Sequence, residues 1–184
     1  MKNFLRRKYI EKRINLSPEF INNAGKGISS SFSKSSISKF NNYMAYYPIK
    51  SEAPVLPLIK YLIDNNKNVS IPSTKNDNSL IPVYFSDFNN ITLGKYNIPE
   101  PEKKVPMDPK SIEVVFVPGV VFHRTGLRIG YGKGCYDRFL SESTYIKIGV
   151  CYEFQFSEVI AKKEKHDVIM DYLLTEKALY EVKK

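Results

Sequence analysis

The chain has 184 residues, 42% of them hydrophobic, and a formal net charge of +9, a length that suits one domain burying roughly 70% of its unfolded surface. No apolar run approaches the roughly 18–20 residues that span a bilayer, and the charged start MKNFLRRKYIEKR lacks a signal peptide's apolar stretch, so a soluble, cytoplasmic protein with no membrane partner is expected. The positive balance suits anionic ligands, but the lysines are scattered rather than clustered, which speaks against a general nucleic-acid binder.

Residues 2–14 read as a helix with Leu5, Tyr9 and Ile10 on its apolar side. Lys2 and Arg6, four apart, share a face. A second helix begins near Ser17-Pro18-Glu19, a capping residue followed by proline at the first helical position. Gly25, Gly27 and the serines from Ser29 to Ser38 predict that it is imperfect. Tyr43 to Tyr47 reads as a short strand ended by Pro48, with a loop through Lys50, Ser51 and Glu52. Val55, Leu58, Ile59, Leu62 and Ile63 have helical spacing over Ala53 to Asp64, and Pro54 and Pro57 fall in its first turn. Val69 to Ile71 predicts a strand closed by Pro72, and Leu80 to Phe85 another. Residues 86–111 hold Gly94, Pro99, Pro101, Pro106 and Pro109 and read as a long irregular loop. The unbroken apolar run Ile112 to Val117 predicts a central strand buried on both faces. Tyr145 to Val150 is a further strand, and Tyr172 to Thr175 reads as an edge strand. Strands alternating with helices predict an α/β fold, a single-domain three-layer sandwich over residues 1–184 with a mostly parallel or mixed sheet flanked by helices.

The most informative stretch is 118–140, PGVVFHRTGLRIGYGKGCYDRFL. It follows the central strand and leads into a helix-like segment, Tyr136 to Leu140. Gly130, Gly132 and Gly134 alternate with single residues, so the backbone can turn sharply and come close to a ligand. Amide groups that converge there, with a helix start behind them, favour an anion. Arg128 and Lys133 add full charges. The pattern is neither a Walker A loop nor a dinucleotide fingerprint. In a parallel sheet such a loop lies at the carboxyl ends of the strands, where ligands bind, and so does the loop carrying Glu52. Cys135 and Cys151 have no metal spacing and are expected to be free, buried or half-buried thiols.

Four segments in this order, Lys2 with Arg6, AYYPIKSE ending at Glu52, VPGVVF with RIGYGKGCYDRFL, and IGVCYEFQ with HDVIMDYLLT, resemble the 5-formyltetrahydrofolate cyclo-ligases, also called 5,10-methenyltetrahydrofolate synthetases. The resemblance runs nearly end to end. It implies a cytoplasmic ligase of one-carbon folate metabolism that takes ATP and 5-formyltetrahydrofolate, requires Mg2+, and passes through a phosphorylated formyl group. It implies nucleotide contacts by Lys2, Arg6, Arg128, Gly130, Gly132, Lys133, Gly134, Cys135 and Tyr136, with Arg128 and Lys133 acting in catalysis. It implies metal ligation by Asp137 and Asp167, with Asp171 a lesser candidate. It implies substrate contacts by Glu52, Tyr131, Tyr152 and Gln155. Such chemistry is mostly positioning and charge neutralisation, and Mg2+ is satisfied by one or two carboxylates with phosphate oxygens and water. A carboxylate at Glu52 suits adjacent N–H donors of a pterin.

Each residue also has a structural reading. Asp137 is equally suited to a helix start, Gln155 to satisfying buried backbone, and Tyr131 and Tyr136 to walling the loop. Arg138 suits a salt bridge and His166 a cap. His123, Ile129 and Cys135 depart from the usual family residues Asp, Leu and Tyr. Two other functions compete: a regulatory domain that binds a nucleotide or phosphosugar, and a basic RNA-binding module, for which no aromatic binding motif is present. A monomer or weak homodimer that binds small molecules and no nucleic acid is expected.

Overall fold

The first helix, α1 (Lys2–Ile14), lies where the charge pattern puts it. The second, α2 (Pro18–Ser33), is capped by Ser17, whose hydroxyl accepts from the Phe20 amide at 3.1 Å. Contrary to expectation it runs unbroken through its glycines. Gly27 is there because a Cβ would come within 2.5 Å of the Glu176 carbonyl, so the glycine allows close packing. The computed structural model describes residues 1–141, 144–159 and 161–183; residues 142, 143, 160 and 184 of the expected domain lie outside the described residues.

Among the described residues a seven-stranded sheet forms the middle layer. Its strands are β1 (Asn42–Met44), β2 (Asn68–Thr74), β3 (Leu80–Tyr84), β6 (Val114–Pro118), β9 (Ile146–Val150), β10 (Tyr172–Leu174) and β11 (Leu179–Glu181). They lie in the order β11-β10-β9-β6-β1-β2-β3. The inner five are parallel, and β3 and β11 close the edges antiparallel. The sandwich is therefore mixed at its rims and parallel at its centre, as the strand and helix alternation predicts.

Alternation along the central strands divides the core. Tyr43, Val114 and Phe116 face α2 and α3 (Leu56–Asp64), with Ile28, Phe32, Leu58 and Leu62. Met44, Val115 and Val117 face the other side, with Phe122, Leu140 and Met170. Burial on both faces is what makes 112–117 uninterruptedly apolar. A third apolar cluster joins Leu5 and Tyr9 of α1 to Val121, Leu127 and Ile129.

Several boundaries differ from the sequence reading. β2 runs through Pro72, which sits opposite Pro82. The Phe85 amide bonds the Val69 carbonyl, so by alternation the two prolines form a non-hydrogen-bonded pair, where a missing N–H removes no β2–β3 bond. β10 is interior, because β11 lies outside it. α3 begins at Leu56, with Pro57 in its first turn and Pro54 before it. The 86–111 region is not wholly irregular: β4 (Ile91–Leu93) pairs with β5 (Pro99–Pro101). That small hairpin is anchored by Glu100, whose buried carboxylate accepts from the Ser73 hydroxyl, the Thr74 amide and Lys104.

Candidate active site

The carboxyl ends of the parallel strands share one edge of the sheet, and each hands its loop to the same region. β1 leads to Glu52, β6 to the glycine-rich stretch, and β9 to Tyr152 and Gln155. Between β6 and the glycines the chain first makes a hairpin absent from the sequence reading, β7 (Val121–Phe122) paired with β8 (Arg128–Ile129). The glycines then turn the chain into α4 (Cys135–Leu140). Gly132 and Gly134 have left-handed φ of 93° and 67°, which side-chain-bearing residues rarely adopt.

Helix α1 lies across this edge and joins its parts. Lys2 Nζ bonds Asp167 Oδ2 at 2.9 Å and lies 3.2 Å from Glu164. Arg6 Nε donates to the Gly130 carbonyl at 2.7 Å. About two turns further along, Arg13 is 1% exposed. It donates to the Ser51 hydroxyl at 3.2 Å, the Gly119 carbonyl at 3.1 Å and the Tyr131 hydroxyl at 2.5 Å. No carboxylate lies in ion-pair contact with it among the described residues. Sequence reasoning missed Arg13. The signal was available: positions 2, 6, 9 and 13 lie on one helical face, so the Lys2–Arg6 face continues through Tyr9 to it.

Glu52 is 8% exposed, and its Oε2 accepts from the Ile49 amide at 3.1 Å. Burial raises its carboxyl to about 7, against the pull of the Ile49 amide and of Arg13 and Lys50. The Tyr152 hydroxyl donates to the Glu52 carbonyl at 3.3 Å. Tyr152 is fully buried and stacked on Phe154, so its ring is already covered by protein. Gln155, also fully buried, accepts from the Tyr152 amide and donates to the Gly119 and Val120 carbonyls. Its geometry is that of a brace between two loops, the structural one of its two readings.

Arg128 Nη2 meets Asp137 Oδ1 at 2.8 Å, and Nη1 donates to the Pro118 carbonyl at 3.1 Å. Asp137 also lies 3.5 Å from the amide of Val168, next to Asp167, so the two aspartates come from segments in contact. The Asp167 carboxyl is depressed: burial opposes this, but the Glu164 amide and Lys2 outweigh it. Lys133 is exposed, its Nζ 5.8 Å from the ring centroid of Tyr96. Tyr131 is 40% exposed at the loop tip. Cys135 is half-buried and Cys151 buried, both free. Arg138 bonds the Asn78 and Lys133 carbonyls rather than a carboxylate, and His166 lies 3.2 Å from Glu164. The arrangement is a cationic, glycine-turned loop beside an enclosed carboxylate, which suits a ligand with phosphates at one end and a polar heterocycle at the other.

Comparison with known proteins gives the family. Residues 1–176 match the 5-formyltetrahydrofolate cyclo-ligase family. The chain is 32% identical to the 5-formyltetrahydrofolate cyclo-ligase of Mycoplasma genitalium over 120 residues, which is 64% of this chain and 62% of that protein. It is 30% identical to that of Mycolicibacterium smegmatis over 141 residues, 72% of each. The matched stretch thus spans about three fifths of the Mycoplasma genitalium relative and more of the second. The solution structure of Aquifex aeolicus 5,10-methenyltetrahydrofolate synthetase superposes with a TM-score of 0.87 at 30% identity, covering 100% of this chain and 93% of that one. The Mycoplasma pneumoniae synthetase gives a TM-score of 0.77 at 25% identity, covering 95% and 98%.

Proposed function

This chain belongs to the 5-formyltetrahydrofolate cyclo-ligase family, and we propose on that premise that it converts 5-formyltetrahydrofolate to 5,10-methenyltetrahydrofolate while ATP becomes ADP and phosphate. The observation that carries the reading is the convergence made by α1: its cations reach Asp167, Gly130 and Tyr131 and bring the loop chemistry beside Glu52.

In this reading Lys2, Arg6 and the amides of Gly130, Gly132, Gly134 and Cys135 hold the nucleotide's phosphates. The γ-phosphoryl group moves to the formyl oxygen of the folate. Nitrogen 10 then attacks the activated formyl carbon and loses its proton, and the carbon–oxygen bond breaks as phosphate departs. Arg128 and Lys133 neutralise the charge that gathers on the transferred group. Glu52 accepts from the adjacent amino and ring N–H groups of the pterin. Tyr131 covers the substrate from the loop tip, and Tyr152 and Gln155 hold the walls.

Asp137 and Asp167 fit Mg2+ by their chemistry, since both offer carboxylate oxygens from touching segments. When bound, the ion would supply positive charge to the phosphates. Lys2 pairs with Asp167 and Arg128 with Asp137. The proposal includes cytoplasmic work on small molecules as a monomer or weak homodimer; among the described residues no helix is long and apolar enough to cross a membrane.

The direct test mixes the protein with ATP, Mg2+ and 5-formyltetrahydrofolate and follows the methenyl chromophore. An ATP-dependent rise is expected. Its absence from folded protein overturns the reading.

A further inference from the structure

Among the described residues two buried side-chain atoms have no hydrogen-bond partner: Nε of Arg128 and the hydroxyl of Tyr136. Buried polar groups are nearly always paired, so two orphans in one site call for an explanation. They are neighbours, because the Arg128 guanidinium carbon lies 5.9 Å from the Tyr136 ring centroid. Both belong to the glycine-rich region, yet they do not face where Lys133 faces. The Tyr136 ring packs against the apolar clusters on both sides of the sheet, whereas Gly132 and Lys133 lie in solvent. After burial, the charge that acts most on the Tyr136 hydroxyl is Glu52, which also acts on the hydroxyls of Tyr46 and Tyr131. The Tyr46 hydroxyl is taken by the Ala53 carbonyl and that of Tyr131 by Arg13. Of the three, only that of Tyr136 has no hydrogen-bond partner.

We propose that the Tyr136 hydroxyl is a folate-binding donor, giving its hydrogen bond to a carbonyl-type oxygen of the reduced-pterin head that Glu52 holds, and that it takes no part in nucleotide binding. The resemblance had grouped this tyrosine with the nucleotide contacts, because it adjoins the glycines in sequence. In space the charge that acts most on its buried hydroxyl is Glu52. Burial keeps the phenol protonated well beyond neutral pH, so it acts as a donor. The bound substrate would then pair the group that the free protein leaves unpaired. This inference rests on the folate reading given above.

The test is Tyr136→Phe, which removes the hydroxyl and keeps the ring. Steady-state kinetics should show KM for 5-formyltetrahydrofolate raised roughly 3- to 10-fold, the size of one neutral hydrogen bond, with KM for ATP unchanged. Calorimetric titration of 5-formyltetrahydrofolate without nucleotide should show the same loss in Kd. The melting temperature should hold or rise, because the substitution removes an unpaired buried atom. A raised KM for ATP with unchanged folate affinity would overturn the proposal. So would a lower melting temperature with unchanged folate affinity, which means that the hydroxyl has a protein or water partner. Wild-type protein inactive with both substrates would sink the folate reading itself; active wild type with an indistinguishable variant would sink this inference alone.

Discussion

Arg13 donates to the hydroxyl of Tyr131 at 2.5 Å across 118 residues of sequence, so the end of the first helix holds the tip of the glycine-rich loop. The same guanidinium holds Ser51, next to Glu52, and the Gly119 carbonyl. One buried cation thus fixes the distance between the glycine-rich loop and the loop that carries the enclosed carboxylate. Arg13→Lys keeps the charge and loses the fork. It should lower stability by about 1–3 kcal/mol, because buried acceptors lose their donors. Thermal and urea unfolding would measure the loss. The folate KM should rise with it, since Ser51 and Tyr131 lose their common anchor. A variant as stable as wild type would remove Arg13 from this role.

Lys133 is the opposite case. It is exposed and makes no ion pair in contact range among the described residues. Lys133→Ala should change stability by less than about 0.5 kcal/mol, as surface substitutions usually do. Turnover should fall at least roughly 100-fold, because a charge used on a transferring phosphoryl group is lost. Comparing kcat with the melting temperature checks both. Intact turnover would sink the assignment.

The raised carboxyl of Glu52 has two pH consequences of opposite sign. Between the ordinary 4.5 and the folded value of about 7, the folded state binds more protons than the unfolded one. Stability conferred by the protonated form therefore declines as pH rises through that window and levels off above it. The total is on the order of 3 kcal/mol, and Glu52→Gln should flatten the decline in denaturant melts taken across the window. Folate affinity should run the other way. The pterin's N–H donors need the carboxylate, so Kd should tighten as pH passes 7 in wild type. A Kd flat between pH 6 and 8 would contradict the Glu52 contact.

Asp167 tests the metal reading. Its bond to Lys2 is partly exposed, with side chains 20% and 12% accessible, and such pairs contribute little. Asp167→Asn should leave the metal-free melting temperature within a few degrees of wild type. The Mg2+ concentration for half-maximal rate should rise several-fold, as a carboxylate ligand is lost. Titrating Mg2+ at saturating ATP decides it, and an unchanged midpoint assigns the metal elsewhere.

Much of the architecture is legible in the sequence because the relevant signals are local. α1 shows in its helical spacing, β6 in an apolar run that two-sided burial demands, and the glycine-rich turn in its composition. What the sequence concealed depends on tertiary partners. The hairpin of β7 and β8 has two-residue strands, too short for any periodicity. β11 shows little alternation because it covers an edge. Pro72 read as a strand end because the register that tolerates it is set by Pro82, ten residues on. Gly27 read as a weak point in a helix, though the Glu176 carbonyl across the gap explains it. Arg13 was not singled out from sequence, and only the loops from far along the chain make it an interior residue. The candidate site residues were picked out as a set through their motifs, whereas the burial of the Tyr136 hydroxyl is a property of the packed sheet.

The contact of Lys2 with Asp167 closes a loop of 165 residues, which has a bearing on how the protein comes into being. Wide separations of this kind slow folding, since the chain must be brought together before the contact yields anything. On a ribosome the first helix emerges long before the segment it will clasp, and it must wait, a basic amphipathic stretch without its receptor, until nearly the whole sheet has been synthesised. Catalytic competence should therefore arrive as a late event in refolding, after the β-sheet has gained its secondary structure.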